Sequence, residues 1–411
     1  MKKKRTWKFW TLRTILLLVF IGIIWTINLI WFRPFNVRLF YDKIFVELAL
    51  DSPELTSSMG IPVLYDQFKS DLDDISDAKQ WESFNKMKKD YETLKSYPFD
   101  RQSKANQLNT QILAFYIQGL IDDEPFFYHG YPVNQMFGVQ SNLPSFMETA
   151  HKLRNKSDAE AYITRLSKFD TKFEQLIENL RIRESKGIIP PQFVIDRVLS
   201  EMNGFIGIKT EYDDSFPDAQ ESNSPVQANI LYENFTTKID AIEKLTPEEK
   251  EDFKTRVEQE VSTTVFESYQ KLIAYFEELR PKATTDDGVW KLPDGDAYYR
   301  QQLRQNTTSD MMPEEIHQIG LSEVARIKKE IQDILQTQGY ADTSKTIGRI
   351  IQELNKEERF LFPNNDKGRQ MVIEEYDRIL SEISANLDDA FDIRPKAALE
   401  VKRVPVFKEE G

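Results

Sequence analysis

The chain contains three histidines, His129, His151 and His317, and no cysteine. A zinc peptidase of the usual kind needs two histidines one helical turn apart, a glutamate between them as general base, and a third ligand. No two of these histidines lie within five residues of one another, and none begins a His-Glu-x-x-His run. A local zinc site is therefore not predicted, and three distant histidines converging through the fold is the alternative. The missing cysteine also excludes disulfides, cysteine nucleophiles and a lipid-modified N-terminal cysteine.

Other catalytic signatures are missing from the sequence as well. There is no Gly-x-Ser-x-Gly elbow for a serine hydrolase and no glycine-rich phosphate loop. The acidic run from Asp71 to Asp77 begins with the spacing of a calcium loop, but Ile75 stands at the next ligand position and no glycine follows. This run is interpreted as a solvated turn.

His317 and Glu323 are the polar residues with the most unusual surroundings. Pro313 suits the first position of a helix, and Glu314 and Glu315 complement its positive end. One side of this helix is apolar and is expected to be buried, and His317 and Glu323 fall within it. That side is formed by Ile316, Ile319, Gly320, Val324, Ile327, Ile331, Ile334 and Leu335. The two polar residues either face a cleft or are satisfied by a neighbouring helix.

The helix at Pro313 follows a turn predicted at Asp294-Gly295, where glycine would supply a positive φ. Two further helices of about 30 residues are predicted by capping boxes at Ser157–Glu160 and Thr246–Glu249. Their buried stripes are Tyr162, Leu166, Phe169, Phe173, Leu176 and Leu180, and Phe253, Val257, Val261, Tyr269, Leu272, Phe276 and Leu279. The predicted fold class is all-α, with long amphipathic helices, one N-terminal transmembrane helix and a short β segment at Leu399–Phe407, where apolar and polar residues alternate.

An apolar run from Ile15 to Phe32 is just long enough to cross a bilayer. Basic residues precede it, which predicts a single-pass signal anchor with the N-terminus in the cytoplasm and the main domain periplasmic or extracellular. A cleaved signal peptide is the alternative, but no small-residue cleavage pattern follows the run. The net charge is −13, and removing the six basic residues ahead of the run leaves roughly −19, so nucleic acid is not an expected partner.

The segment from Asp122 to Pro144 is rich in aromatic residues and is predicted to be a loop. Tyr131 and Asn134 lie within it. A loop with this many rings either packs over a core or lines a pocket, and the sequence leaves both interpretations open.

Several runs resemble, in the same order, the domain of unknown function 885 family, bacterial proteins expected to be zinc-dependent peptidases. The runs are SPELTSSMGI, YPVNQMFGVQSNLPSFM, LPDGDAYY, PEEIHQIGL with the following Glu323-Val324, and RPKAALEVKRVPVF. The resemblance implies that Tyr131 and Asn134 lie near the active cleft, and that His317 and Glu323 lie beside the zinc ligands. Arg403 either points to the cleft or alternates outward from the strand.

The resemblance also implies a later His-Glu-x-x-Pro-Gly-His-His sequence, which does not occur in this chain. The expected organisation is a basic tail and signal anchor at 1–33, then a helical peptidase-like domain at 34–411 that stops before its metal-binding part. No catalytic residue, cofactor site or metal ligand is therefore assigned, although zinc is expected for a full-length member.

Two functions follow from these observations. The first is a membrane-anchored member of this peptidase family that is inactive as given. The alternative is a non-enzymatic envelope protein that binds a peptide or another partner through the aromatic loop, and a scaffold without a pocket is a third interpretation.

Overall fold

The computed structural model describes residues 7–209, 224–340 and 344–401, with the side chains of residues 7–9 left aside. The described chain is all-α, as predicted, and contains no strand. It forms two compact units, residues 1–310 and 311–411.

The first unit contains fourteen of the described helices. They are α1 Trp7–Trp31, α2 Val37–Asp51, α3 Pro53–Met59, α4 Pro62–Phe68, α5 Asp77–Lys95, α6 Lys104–Asp122, α7 Val139–Thr149, α8 Lys156–Ser167, α9 Phe169–Ser185, α10 Gln192–Phe205, α11 Ile230–Asp240, α12 Pro247–Glu260, α13 Phe266–Leu279 and α14 Gly295–Thr307. Short 3₁₀ turns occur at Phe99–Arg101, Glu124–Phe126, Arg280–Lys282 and Val289–Lys291. The second unit contains α15 Pro313–Thr337, α16 Ile347–Leu354 and α17 Asp366–Ala385, with 3₁₀ turns at Glu358–Phe360 and Leu387–Asp389.

The main core lies among α7 to α13. Both predicted apolar stripes are buried in it without exception, which confirms the helical periodicity of those segments. Phe173 packs against Tyr269, with ring centroids 4.9 Å apart, and so joins α9 to α13. These helices form the packed core on which the loops of the first unit lie.

The first predicted long helix is divided in two. Asn155, rather than Ser157, caps α8 by accepting a hydrogen bond from the backbone N–H of Asp158, so the capping box predicted at Ser157 is wrong. Glu160 does not reach back to the cap but pairs with Arg256 of α12. Lys168 forms a right-handed turn between the end of α8 and the start of α9.

The second long helix begins as predicted, with a complete capping box between Thr246 and Glu249. A π-helical turn at Val261–Val265 separates α12 from α13. Val261 and Val265 are both fully buried. The extra residue in this turn rotates the apolar stripe so that both halves stay on the core.

The helix at Pro313 forms as predicted, but its apolar side is not buried. Ile319, Val324, Ile327 and Ile334 are exposed, and Leu335 is the buried apolar residue of α15. Across the described part of the second unit, only Leu335 and Ile350 are buried large apolar residues. Periodicity indicated the amphipathic helix correctly, but the expectation of burial was wrong.

The β segment predicted at Leu399–Phe407 is not seen in the described chain. Residues 399–401 have no regular secondary structure, and residues 402–411 lie outside the described ranges.

Candidate functional site

A tight turn precedes α14 and shapes the surface beside it. Asp294 adopts the left-handed conformation with φ 52°, whereas Gly295 is already helical, so the positive φ was predicted for the wrong residue. Gly295 is required for another reason. A Cβ built there would lie 2.1 Å from the carbonyl oxygen of Val289, so only glycine allows the turn to close against α14.

An open groove of about 760 Å³ runs along this turn and along α14 as far as Arg304. Its volume is within the range of pockets that hold small molecules or short peptide segments. Trp290 contributes an indole ring that is 68% exposed. The groove is lined by Trp290, Leu292, Asp294, Gly295, Asp296, Ala297, Arg300, Gln301 and Arg304.

The groove contains charges of both signs. Arg304 is engaged with Asp310 at 3.1 Å and more distantly with Asp122 at 3.5 Å. Arg300, one helical turn earlier, makes no hydrogen bond or ion pair with another described residue. Arg300 is thus available to an anionic group, and its planar guanidinium can hold a carboxylate through two hydrogen bonds.

The loop predicted at Asp122–Pro144 is shorter than expected, because α7 begins at Val139 and contains Pro144. Residues 124–138, called the aromatic loop from here on, pack against the same turn. His129 is buried, and its Nε2 donates to the carbonyl oxygen of Pro293 at 2.7 Å. The rings of Phe126 and His129 lie 5.5 and 4.9 Å from that of Tyr298 on α14. The loop therefore both packs on a core and supports one wall of the groove. His129 Nδ1 is buried without a hydrogen-bond partner among the described residues.

Tyr131 and Asn134 hold this loop in shape. Tyr131 donates to the carbonyl oxygen of Ile189 at 3.4 Å, and burial, together with the nearby Tyr298, raises its pKa to about 12. Asn134 accepts from the backbone N–H groups of Met136 and Phe137, both at 2.9 Å. This Asx-type turn leaves the Met136 and Phe137 side chains exposed at the loop tip.

Behind the tip lies a buried polar cluster that the sequence did not indicate. Gln140 donates through Nε2 to the carbonyl oxygen of Asn134 at 2.7 Å and to Glu201 of α10 at 3.1 Å. Burial raises the pKa of Glu201 to about 7, and the hydrogen bond from Gln140 opposes the shift. The Tyr269 hydroxyl donates to the carbonyl oxygen of Gln140.

The SPELTSSMGI run forms α3 and docks it on α8 and α9. Ser52 caps the helix, and Gly60 ends it with φ 65°. Ser57 accepts a hydrogen bond from Arg165 at 2.6 Å, and Glu54 pairs with Lys172. Asp73 belongs to the run interpreted as a solvated turn. Its carboxylate accepts hydrogen bonds from the Ser52 hydroxyl and the Glu54 backbone N–H, so this run also binds the start of α3.

The remaining site candidates from the sequence are His317, Glu323 and Arg403. His317 and Glu323 lie exposed on α15 in the second unit, and Glu323 pairs with Arg326 at 2.7 Å. Arg403 lies outside the described residues. Of the candidates from the sequence, Tyr131 lies near Tyr298 of the LPDGDAYY run, and Asn134 lies in the same loop as Tyr131.

Zinc does not fit the histidine surroundings found here. His129 is directed at Pro293, His151 lies between Arg165 and Asp158, and His317 is in the other unit. Among the described residues, no group of three His, Asp or Glu side chains is arranged to hold a metal ion. No hydrolytic step is therefore assigned to zinc in this chain.

The groove residues Trp290, Arg300 and Arg304 escaped the sequence reasoning. The available signal was the pair of arginines four residues apart, which places both on one face of a helix. The exposed tryptophan just before the turn was a second signal.

A helical core, a long apolar N-terminal helix and a groove beside a glycine-dependent turn define an all-helical protein with a candidate ligand site. The chain belongs to the DUF885 family, described as bacterial protein of unknown function, whose model matches residues 53–411. No curated protein matches the chain.

A solved structure described as "the putative lipoprotein from Colwellia psychrerythraea" has the same fold, with a TM-score of 0.77 and 24% sequence identity. The match covers 89% of this chain and 63% of that one. The chain therefore spans less than two thirds of the length of that solved structure.

Proposed function

We propose that the chain is an envelope protein that is anchored in the cytoplasmic membrane by α1 and binds peptides in the groove beside α14. The anchor is supported by the segment Trp10–Trp31, which is long and apolar enough to cross a bilayer, with a mean hydropathy of 2.3. A cleaved signal sequence can be equally long and apolar. The basic flank before the segment and the missing cleavage pattern after it favour an uncleaved anchor. The lipoprotein description of the solved structure agrees with an envelope location.

The observation that carries the binding function is the uncommitted Arg300 in a groove with an exposed indole. Arginine and tryptophan are the side chains that most often dominate binding energy. Asp294, Asp296 and Gln301 supply acceptors and a donor for the backbone of an extended peptide. The peptide is expected to place a free terminal carboxylate on Arg300 and an apolar side chain on Trp290.

Titration of a short apolar peptide and its C-terminal amide against the full chain tests this function. The free acid should bind at least about tenfold more tightly than the amide, because an Arg–carboxylate pair contributes about 1.5–3 kcal/mol. Arg300→Ala should abolish that preference, and Trp290→Ala should weaken both ligands.

Arg181→Ala is the matched control, since this arginine is exposed on α9 outside the groove. Equal binding of acid and amide, or an unchanged preference in Arg300→Ala, would contradict the assignment.

The resemblance to zinc peptidases favours a second candidate function, peptide hydrolysis by a full-length family member. A zinc-bound water with a pKa near 7 would supply the nucleophile there. For this chain we expect neither stoichiometric zinc after dialysis against the metal nor peptidase activity. Elemental analysis of the purified chain measures the first, and stoichiometric zinc that is lost in His129→Ala or His151→Ala would overturn the expectation.

A further inference from the structure

The C-terminal end of α1 is held by a side chain of α2. Lys43 Nζ donates to the carbonyl oxygens of Ile30 and Phe32 at 2.9 and 3.2 Å. These carbonyls lack partners within α1, and the lysine also complements the negative end of the helix dipole. The last turn of α1 is therefore bound to α2.

The residues after α1 are also bound to the end of α5. Arg33 donates to the carbonyl oxygen of Ser96 at 2.9 Å, and its guanidinium lies 4.7 Å from the ring centroid of Tyr97. The buried Tyr97 donates in turn to the carbonyl oxygen of Pro34 at 2.6 Å. The passage from α1 into the helical unit is thus a rigid joint.

Exposed aromatic side chains surround this joint. Trp31, Phe32 and Phe35 are 70%, 64% and 69% exposed, and Phe99, two residues after Tyr97, is 38% exposed. Rings that are left uncovered in water are unfavourable, but they are favoured at the level of lipid headgroups. Their position directly after the apolar helix makes them continuous with its lipid-facing surface.

Cations accompany these rings. Residues 33–43 and 95–104 carry six basic and two acidic side chains, in a chain whose net charge is −13. Arg38, Arg101 and Lys104 are exposed and make no ion pair with another described residue. This local excess of positive charge is complementary to phosphate.

We propose that residues 31–43 and 95–104 form a collar that binds anionic phospholipid headgroups of the bilayer entered by α1. The proposal rests on the anchoring role of α1. The rigid joint keeps the collar at the bilayer surface, so Phe35 and Phe99 enter the headgroup layer while Arg38, Arg101 and Lys104 contact lipid phosphates. Each such cation is attracted to an anionic surface, and salt screens this attraction.

The chain has no cysteine, so single-cysteine labelling tests the collar cleanly. The full chain carrying Phe99→Cys with an environment-sensitive fluorophore is reconstituted in phosphatidylcholine vesicles with and without phosphatidylglycerol. We expect blue-shifted emission, and quenching by lipids with a nitroxide near the headgroup, both stronger with phosphatidylglycerol. Ser185→Cys, exposed at the end of α9, should show neither effect.

The combined variant Arg38→Ala, Arg101→Ala and Lys104→Ala should lose most of the phosphatidylglycerol-dependent quenching, whereas Lys244→Ala should retain it. Flotation of the vesicles separates the two proposals. A chain that does not float with vesicles contradicts the anchor itself. If the chain floats but a fluorophore at position 99 shows the same emission as one at position 185, the collar alone is overturned. The same holds if the triple variant keeps the phosphatidylglycerol-dependent quenching.

Discussion

Arg165 Nη1 donates to His151 Nδ1 over 3.0 Å within the first unit, and both residues are almost fully buried. The same guanidinium donates to Ser57 of α3 and to the carbonyl oxygen of Asp71. His151 Nε2 then donates to the carbonyl oxygen of Asp158 at 3.0 Å. The imidazole must be neutral to accept from Arg165, so the arginine that binds α3 to α8 is itself held by an uncharged histidine.

This neutral histidine predicts a loss of stability in acid. Burial, with Arg165 nearby, lowers the pKa of His151 to about 3, so below about pH 6.5 the unfolded chain binds a proton that the folded chain does not. The free energy of unfolding should therefore fall by up to about 1.4 kcal/mol per pH unit as the pH drops from 6.5 towards 3. Denaturant unfolding of wild type and His151→Gln at several pH values measures the free energy of unfolding. The variant should lack the part of the acid-induced fall that is due to His151. His317→Gln, on exposed α15, is the control, and identical slopes in all three proteins would contradict the assignment.

Glu201 predicts a pH dependence of the opposite sign. Its pKa rises from 4.5 to about 7, so between these values the folded chain binds a proton that the unfolded chain releases. The contribution of Glu201 to the free energy of unfolding should be full below pH 4.5 and should be lost as the pH rises through 7. Glu201→Gln should remove this fall and stabilise the protein at pH 8 by roughly 2–3 kcal/mol. Thermal or denaturant unfolding at pH 5 and pH 8 provides the test, with Glu178→Gln on the exposed side of α9 as the control; a variant that is destabilised at pH 8 would refute the explanation.

Two glycine-to-alanine substitutions should have opposite effects. In Gly295→Ala the new methyl group would clash with the carbonyl oxygen of Val289, so we expect a loss of about 2 kcal/mol or more and weaker peptide binding. Gly320, in the exposed middle of α15, has no atom within 4 Å of the position that a Cβ would take, and Gly320→Ala should stabilise its helix by up to about 1 kcal/mol. Thermal melting of both variants, followed by circular dichroism, measures the two changes in stability. Equal changes would show that the clash with Val289 does not destabilise Gly295→Ala.

The membrane orientation predicts which residues can be labelled from outside the cell. Ser185→Cys in the otherwise cysteine-free chain should react in intact cells, or in cells with a permeabilised outer layer, with a maleimide that cannot cross the cytoplasmic membrane. Lys3→Cys, ahead of α1, should react only after the cells are lysed. Reaction of both positions before lysis, or of neither, would be inconsistent with a single span whose N-terminus is inside.

Sequence periodicity predicted the core well and the surroundings of α15 poorly. The spacing of Tyr162, Leu166 and Phe169 indicated burial because a stripe of large apolar side chains has few stable positions other than a core. The stripe through Ile319 and Val324 has the same period but remains exposed, since periodicity indicates a face and not what covers it. The Asn155 cap was missed because neighbouring Asn and Ser residues both suit the position, and only the backbone geometry decides between them.

The groove and the half-buried Glu201 were beyond sequence reasoning for a different reason. Trp290 and Arg300 are ten residues apart, and a turn whose shape depends on Val289 brings them to one surface. Glu201 and Gln140 are brought together by the packing of α7 and α10, which no local spacing records. By contrast, Tyr131 and Asn134 were correctly placed in one loop, although their contacts there are structural.

The joint at the end of α1 limits the distance between α1 and the helices that follow it. Only residues 32–36 connect α1 to α2, about 17 Å if fully stretched, and the bonds from Lys43 and Arg33 keep them from stretching. With α1 in a bilayer, the helices that follow it can diffuse only in the plane of the membrane. The short connection keeps them close to the bilayer surface. Under the proposed function, a peptide would therefore have to reach the groove at the membrane surface.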